Sequence, residues 1–267
     1  MNDPQIFLKI RNLSKSFSSS RVGERPGTAR KVLKDLSFDI HKGEILGIAG
    51  SSGSGKTTLG RSLLGLPAPD SGSIEYQGIN LTALSAGKFR QYRRKFQMIS
   101  QDPARALNPL QKVLDCLTEA LLTHPRTAKT TPAAAAVELL AMVGLSPAYL
   151  YRLPHEMSGG EKQRVAIARA LAMSPEFIIA DEPTSNLDGI HKRQIVNLLM
   201  RLNAKLNIAI LFISHDVPLL SFLADRIGIM HQGRIAEIGL KKEILHSPET
   251  EAAIQLIAAA KAYETKS

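Results

Sequence analysis

A glycine- and serine-rich octapeptide, GSSGSGKT at residues 50–57, is the feature that most limits how this chain can fold. An apolar segment, EILGIAG at 44–50, leads into it, and a segment with helical spacing, TLGRSLLGL, follows from residue 58. A buried strand, a glycine-rich turn and a helix in this order predict a loop whose N–H groups face inward at the positive end of the helix. Such a loop can cradle phosphate oxygens.

The octapeptide fits the P-loop pattern G-x-x-x-x-G-K-[ST], and the strand and helix around it are the context that the pattern requires. A chance match in a glycine-rich turn is the alternative. In the functional interpretation Lys56 reaches the β- and γ-phosphates of ATP, and the Thr57 hydroxyl ligates Mg²⁺. The candidate ATP-binding residues here are Gly50, Ser51, Ser52, Gly53, Ser54, Gly55, Lys56, Thr57 and Thr58.

A second apolar segment, FIIADE at 177–182, ends in two acids. Alone, such a pair is most often a solvated strand end. Beside a P-loop it predicts a Walker B strand, in which Asp181 acts on Mg²⁺ mostly through water. Glu182 is then placed to polarise the attacking water as a general base.

Strand-like and helix-like segments alternate along the chain, which predicts a mostly parallel α/β core. Alternating or apolar strands are expected at 6–10, 36–40, 44–50, 73–78, 96–100, 177–183 and 208–216, with a hairpin over 226–239 turned at Gln232 and Gly233. The polar stretch 18–31 is predicted to be a loop. Between residues 102 and 154, apolar residues at helical spacing with interspersed prolines indicate an inserted helical subdomain.

Composition excludes a disordered chain, because 44% of the residues are hydrophobic and 22% are charged. No apolar run has membrane-spanning length, and the N-terminal segment lacks the pattern of a secretory signal, so we expect a cytoplasmic protein. The single cysteine, Cys116, is expected to be a buried apolar side chain. A net charge of +10 suits anionic partners of several kinds and does not choose between them.

The segment MSGGEKQRVAIARAL at 157–171, followed by ADEPTSNLD at 180–188, resembles the signature region of ATP-binding cassette (ABC) ATPases. The resemblance covers nearly the whole chain. It implies an α/β P-loop NTPase with a RecA-like core, an antiparallel β subdomain and a helical insertion. In this view residues 1–101 and 159–245 form the nucleotide-binding core, 102–158 the helical subdomain and 246–267 a C-terminal helical tail.

The resemblance also implies roles for single residues. Gln101 senses Mg²⁺ and the attacking water, so the expected Mg²⁺ residues are Thr57, Gln101 and Asp181. His215 contacts the γ-phosphate and orients Glu182. Phe17 stands where the family stacks an aromatic ring on adenine, with a core phenylalanine as the alternative, and Val32 packs beside the sugar or base. The signature residues Ser158, Gly159, Gly160 and Glu161 contact the ATP of a partner subunit, and an interface loop comprises Ser185, Asn186, Leu187 and Asp188.

Two further segments, QDPARALNP at 101–109 and LHSPETEAAIQLIAAA at 245–260, are similar to cassettes of dipeptide, oligopeptide and nickel importers. The similarity implies two cassettes, identical or different, that sandwich two ATP molecules. They would dock on integral membrane permease subunits at the cytoplasmic face of the inner membrane and act indirectly with an extracytoplasmic solute-binding protein. The absence of a long cysteine-containing tail slightly favours nickel or metal chelates as the cargo.

Two other functions are open at this stage. A soluble ABC ATPase acting on nucleic acid is compatible with the positive charge, but the sequence has neither the coiled-coil insertion nor the second cassette of such proteins, so no nucleic acid partner is expected. A regulatory subunit without turnover is disfavoured, because Gln101, Glu182 and His215 are all present.

Overall fold

The computed structural model describes residues 5–18, 29–123 and 131–264. The strands in these ranges are β1 (Ile6–Ser18), β2 (Ala29–His41), β3 (Ile45–Ala49), β4 (Ser71–Tyr76), β5 (Ile79–Asn80), β6 (Phe96–Ile99), β7 (Phe177–Asp181), β8 (Ala209–Ser214), β9 (Arg226–His231) and β10 (Arg234–Leu240). The α-helices are α1 (Lys56–Leu63), α2 (Ala86–Arg93), α3 (Pro103–Ala106), α4 (Val113–Thr123), α5 (Pro132–Met142), α6 (Gly159–Ala172), α7 (Gly189–Leu206), α8 (Val217–Leu223), α9 (Lys241–His246) and α10 (Glu251–Glu264). Short 3₁₀ turns occupy Leu81–Ala83, Pro147–Tyr151 and Pro154–Glu156.

One compact unit comprises Met1–Arg90 and Ala209–Ser267, and its first sheet is antiparallel with strand order β2-β1-β4-β5. β1 and β2 pair along their whole lengths, with four register shifts, two of which flank Leu13. Leu8, Ile10 and Leu13 of β1 are buried. The alternating pattern of the sequence therefore places these apolar side chains in the core of this unit.

The second group of strands in this unit surrounds β3, whose five residues are all buried. β3 is parallel to β8 and to β9, and β9 is antiparallel to β10. A strand covered on both faces is apolar throughout, which explains the unbroken apolar run before the P-loop. Since Ala49 lies opposite Ser214, the residues that follow β3 and β8 emerge at the same edge of the sheet.

The other compact unit, Gln91–Ile208, contains β6 and β7 and the helices from α3 to α7. β6 and β7 are parallel, with Ile99 opposite Ala180. The rings of Phe96 and Phe177 pack edge to face with centroids 5.8 Å apart. Cys116 on α4 is buried, as predicted. The predicted α/β class is confirmed, and among the described residues no helix is both long and apolar enough to cross a membrane.

The structure differs from the sequence predictions in the length of the β1–β2 hairpin. Residues 18 and 29–31, predicted as loop, continue the two strands, with Phe17 opposite Arg30 and Ser18 opposite Ala29. Backbone pairing does not depend on apolar side chains, so polar residues can extend a hairpin into solvent. Residues 19–28 of the predicted loop lie outside the described residues. The limits predicted for the helical subdomain and the C-terminal tail stay predictions.

Candidate functional site

The P-loop, residues 50–57, connects the buried end of β3 to the start of α1. Gly50 has no room for a side chain, because a Cβ there would lie 2.3 Å from the carbonyl oxygen of Met230. The turn is closed by a hydrogen bond of 3.2 Å from Ser54 N to Ser51 O. Gly55 has a φ of 108° and caps α1, a backbone conformation that glycine adopts without steric cost. The sequence pattern therefore forms the tight loop that was predicted.

The Lys56 side chain is buried and lies along the loop. Its Nζ donates hydrogen bonds to the carbonyl oxygens of Gly50 at 2.7 Å and Ser51 at 2.9 Å. These bonds fix the ammonium group within the loop, at the N-terminal end of α1. Helix N-termini and an ammonium group both attract anions, so the positive charges of this segment are concentrated where a phosphate group would bind.

A cavity of about 260 Å³ adjoins the P-loop. One wall consists of Ser51, Ser52, Gly53 and Ser54, and the rest is formed by Arg30, Lys31, Val32, Lys34, Gln232 and Gly233. Gly233 N donates to Ser54 O at 3.0 Å, and Lys34 N donates to Gly233 O at 2.8 Å, which ties the β9–β10 turn to the loop and to β2. The three cationic side chains make the cavity suitable for an anionic ligand.

Phe17 is an exposed side chain, with 42% of its surface accessible. The core alternative is therefore wrong, because the ring lies in the solvated extension of the hairpin. It is opposite Arg30 in the β1–β2 register, and Lys15 Nζ is 5.7 Å from its centroid. An accessible ring next to a cavity-lining residue is available for stacking on a base.

His215 follows β8 and is exposed. Ser214 Oγ accepts a 3.0 Å hydrogen bond from Asp216 N, and Asp216 caps α8 by accepting from Leu219 N at 2.9 Å. This pair of bonds fixes the turn that carries His215. Because β8 is parallel to β3, His215 and the P-loop lie at the same edge of the sheet within this unit.

In the other unit, Asp181 is the buried last residue of β7, and Glu182 follows it. Glu182 has a φ of 47°, a left-handed conformation that is uncommon for residues other than glycine. Its carbonyl oxygen accepts hydrogen bonds from Ser185 N at 3.2 Å and Ser185 Oγ at 3.1 Å. These bonds hold the backbone in the strained conformation. Strain of this kind concentrates at active sites.

Gln101 is exposed and follows β6. Because β6 and β7 are parallel neighbours, Gln101 and Asp181 emerge at the same edge of that pair. Asn186 Nδ2 lies 3.4 Å from the Gln101 carbonyl oxygen, a long hydrogen bond that links the predicted interface loop to the segment after β6. The structure thus brings Gln101, Asp181 and the loop at 185–188 to one place within this unit.

The signature segment, residues 158–161, opens α6 with a capping box. Ser158 N donates to Glu161 Oε2 at 2.8 Å, and Glu161 N donates to Ser158 Oγ at 3.3 Å. The other oxygen of Glu161, Oε1, accepts a hydrogen bond from the Tyr149 hydroxyl. That bond is the main reason that the pKa of Glu161 lies below its ordinary value, so the carboxylate is held in its charged form.

The interface loop, residues 185–188, lies against the signature segment. A Cβ on Gly159 would be 3.4 Å from Leu187 Cδ2. Asp188 caps α7 by accepting from Ile190 N at 3.1 Å and His191 N at 3.0 Å, and its Oδ2 is 2.7 Å from His191 Nδ1. The pKa of Asp188 is lowered, first by the backbone N–H of His191 and then by its side chain.

Comparison with known proteins decides the family. Residues 33–185, more than half of the 267-residue chain, match the ABC transporter family. The chain belongs to this family. ABC cassettes bind ATP and hydrolyse it to drive transport, and this cassette is an ATPase of that kind. The predicted family membership is therefore confirmed.

Curated relatives of this ABC cassette are similar over most of its length. It is 42% identical over 242 residues to an oligopeptide transport ATP-binding protein of Streptococcus mutans. That alignment covers 90% of this chain and 77% of the relative. A dipeptide transport ATP-binding protein of Lactococcus lactis is 41% identical over 251 residues, covering 93% of this chain and 79% of the relative. A glutathione import ATP-binding protein of Shigella boydii is 41% identical over 96% of this chain, which spans 41% of that longer protein.

Solved structures confirm the cassette fold. The structure of cbiO1 from Clostridium perfringens, described as part of the ABC transporter complex cbiONQ, aligns with a TM-score of 0.80 at 26% identity. The alignment covers 98% of this cassette and 100% of that chain. The ATP-binding cassette MJ0796, in a dimeric post-hydrolysis state bound to ADP and phosphate, aligns with a TM-score of 0.76 at 30% identity over 88% of this cassette and 98% of that chain.

Two residues of this cassette, Tyr149 and His191, make contacts at the site that the sequence pattern did not indicate. Tyr149 is twelve positions before Glu161, and the chain passes through two 3₁₀ turns between them, so no periodic pattern connects the two residues. His191 is three positions after Asp188, and that spacing at a helix start could have indicated a capping partner. The roles assigned to single residues stay predictions and are argued below.

Proposed function

We propose that this cassette is the ATP-hydrolysing subunit of an importer for small peptides. The observation that carries the proposal is the similarity of at least nine-tenths of the chain to ATP-binding proteins named for oligopeptide and dipeptide transport and for glutathione import. Glutathione is itself a small peptide, so the three names share one chemical class of cargo. These names favour peptides over the nickel or metal-chelate alternative.

ATP binding is assigned to the P-loop and to the cavity beside it. The N–H groups at 50–58 and the Lys56 ammonium hold the phosphates, and this assignment is supported by the buried position of that ammonium. The exposed ring of Phe17 stacks on the adenine, and Val32, which lines the cavity, packs beside the sugar or base.

Mg²⁺ is assigned to the Thr57 hydroxyl, the Gln101 side-chain oxygen and the Asp181 carboxylate. All three groups offer oxygen, the ligand type that Mg²⁺ prefers, and a single carboxylate is typical of a site that shares the ion with phosphates and water. When bound, the ion would neutralise part of the negative charge of the phosphates.

Hydrolysis is assigned to Glu182 as the general base, with His215 orienting that carboxylate and contacting the γ-phosphate. The strained backbone of Glu182 supports this role, because the Ser185 bonds hold the residue in place at some cost in free energy. Gln101 senses the ion and the attacking water.

Two copies of the cassette, or this cassette and a similar one, enclose two ATP molecules. The signature segment of one subunit caps the γ-phosphate held by the P-loop of the other, and the interface loop lines the contact. The dimeric MJ0796 structure with ADP and phosphate supports such an arrangement. The dimer docks on membrane permease subunits at the cytoplasmic face of the inner membrane, and a solute-binding protein acts on the opposite side.

The experiment that tests the proposal measures uptake in the source strain after deletion of this gene. We expect uptake of radiolabelled di- and tripeptides to fall, to recover with the wild-type gene and to stay low with Lys56→Ala. The assignment of cargo would be overturned if deletion and complementation of the gene changed the uptake of radioactive nickel and left peptide uptake unchanged. Salt-dependent binding of DNA or RNA that stimulates the ATPase would favour the nucleic acid alternative.

A further inference from the structure

The N-terminus of α6 is proposed to bind the γ-phosphate of the partner subunit's ATP. The Glu161 carboxylate is a second anion at this same helix end. The first N–H groups of a helix have no partner within the helix, and together with the dipole they attract negative charge. In α6 these groups belong to Gly159, Gly160 and Glu161. A side-chain carboxylate in the first turn competes with an incoming phosphate for the same groups.

Both oxygens of the Glu161 carboxylate are engaged. Oε2 accepts from Ser158 N at 2.8 Å, and Oε1 accepts from the Tyr149 hydroxyl. The carboxylate is therefore tethered at two points, the N-cap N–H of Ser158 and the Tyr149 hydroxyl. A bond from a hydroxyl to a charged carboxylate is stronger than a bond between neutral groups.

The Tyr149 ring is itself fixed. The Arg152 guanidinium lies 4.2 Å from the ring centroid, a distance suited to cation–π attraction. The backbone around the ring is closed by hydrogen bonds of 3.1 Å from Tyr149 N to Ser146 O and from Arg152 N to Tyr149 O. The hydroxyl donor is thus held by a short turn and a stacked cation. The pKa of Tyr149 is raised, chiefly by the same bond to Glu161, so the hydroxyl keeps its proton.

We propose that Tyr149 is a positioning residue for the signature segment. Its hydroxyl holds the Glu161 carboxylate away from the N–H groups of Gly159 and Gly160 and leaves them for the γ-phosphate of the partner subunit's ATP. Without the hydroxyl, Oε1 turns toward these N–H groups while Oε2 stays bonded to Ser158 N, and the phosphate contact weakens. The inference rests on the proposed sandwich, in the form built from two identical cassettes.

The experiment uses the full chain with Glu182→Gln, which slows hydrolysis, and measures the ATP concentration that gives half-maximal dimer by size-exclusion chromatography with light scattering. Tyr149→Phe should raise this concentration about ten- to a hundredfold, the range expected for loss of one hydrogen bond to a charged group. Tyr151→Phe is the matched control, because Tyr151 lies in the same 3₁₀ turn and is 67% exposed. It should change the concentration less than about twofold, as surface substitutions usually do.

A third variant separates positioning from folding. Glu161→Gln removes the competing charge, so Tyr149→Phe should have no further effect in the Glu161→Gln background. A structural role for the ring would instead produce the same loss in both backgrounds. The affinity of the monomer for ATP, measured at protein concentrations below dimerisation, should be equal in all variants.

Each result has one meaning. Unchanged dimerisation of Tyr149→Phe, or an equal loss with Glu161 and with Gln at position 161, overturns the role of Tyr149 and leaves the sandwich intact. Failure of the Glu182→Gln parent to dimerise with ATP overturns the sandwich of two identical cassettes, and this inference with it.

Discussion

The Cδ2 carbon of His191 lies 2.8 Å from the point where a Cβ on Gly160 would stand. The same imidazole is held by Asp188, whose Oδ2 is 2.7 Å from His191 Nδ1. His191 therefore fills the space beside the second residue of α6 and connects the interface loop to the signature segment. Only a residue without a side chain fits at position 160 while the imidazole keeps this place.

Gly160→Ala should lower the free energy of unfolding by about 1–3 kcal/mol, the usual cost of overpacking a filled site. Urea denaturation of the purified protein measures this change. Gly189→Ala is the control, since a Cβ on Gly189 meets no atom within 4 Å, and its effect should stay within about 0.5 kcal/mol. His191→Ala should restore part of the stability lost in Gly160→Ala. Equal stability of the two alanine variants would contradict the packing described here.

Lys56→Ala should weaken ATP binding by about ten- to a hundredfold, because hydrogen bonds to charged groups contribute about 1.5–3 kcal/mol. Isothermal titration calorimetry with ATP measures the dissociation constant. Lys242→Ala is a suitable control, because Lys242 is an exposed residue on α9. An unchanged affinity in Lys56→Ala would remove the P-loop assignment.

Glu182→Gln should lower the ATPase rate by about 10² to 10⁴, the contribution expected of a general base, and should leave the affinity for ATP nearly unchanged. Phosphate release under saturating ATP measures the rate. The control is Glu138→Gln, a substitution of an exposed residue on α5, which should keep full turnover. Normal turnover in Glu182→Gln would assign the base to another residue.

The stability of the protein in acid should depend on Glu161. Its pKa is lowered in the folded chain, first by the Tyr149 hydroxyl and also by Ser158 N. A group with a depressed folded pKa contributes stability above its unfolded pKa, and this contribution is lost as the pH falls through the folded pKa. Glu161→Gln should therefore be less stable than the wild type at about pH 7. The difference should shrink below the ordinary glutamate value of 4.5, and thermal unfolding across this range measures it.

The sequence predicted those parts of the site in which neighbouring residues in the chain are enough to set the backbone conformation or the residue type. The P-loop is one such part, because the turn at 50–57 needs glycines between a buried strand and a helix. The capping of α6 by Ser158 is also local and could have been predicted, since a serine before a helix and an acid three residues later form a recognisable pair. The α/β class followed from the alternation of strand and helix segments, and the cassette fold from the family resemblance.

Contacts between side chains distant in sequence were not predictable from the pattern. Tyr149 meets Glu161 although two 3₁₀ turns occupy the chain from Pro147 to Glu156, and neither turn has a period that points to the contact. His191 meets Gly160 because α7 packs against the start of α6. Such pairings are set by packing within the folded unit, which a single sequence does not display.

The left-handed backbone of Glu182 has a consequence for attempts to engineer this cassette. A residue other than glycine costs about 1–3 kcal/mol when it is held in a sparsely populated conformation, and glycine removes most of that cost. Variants with glycine at position 182 should therefore survive heating better than the natural chain while losing the carboxylate. A library screened for thermostability alone would enrich inactive proteins at this position, so selection there has to include ATP turnover.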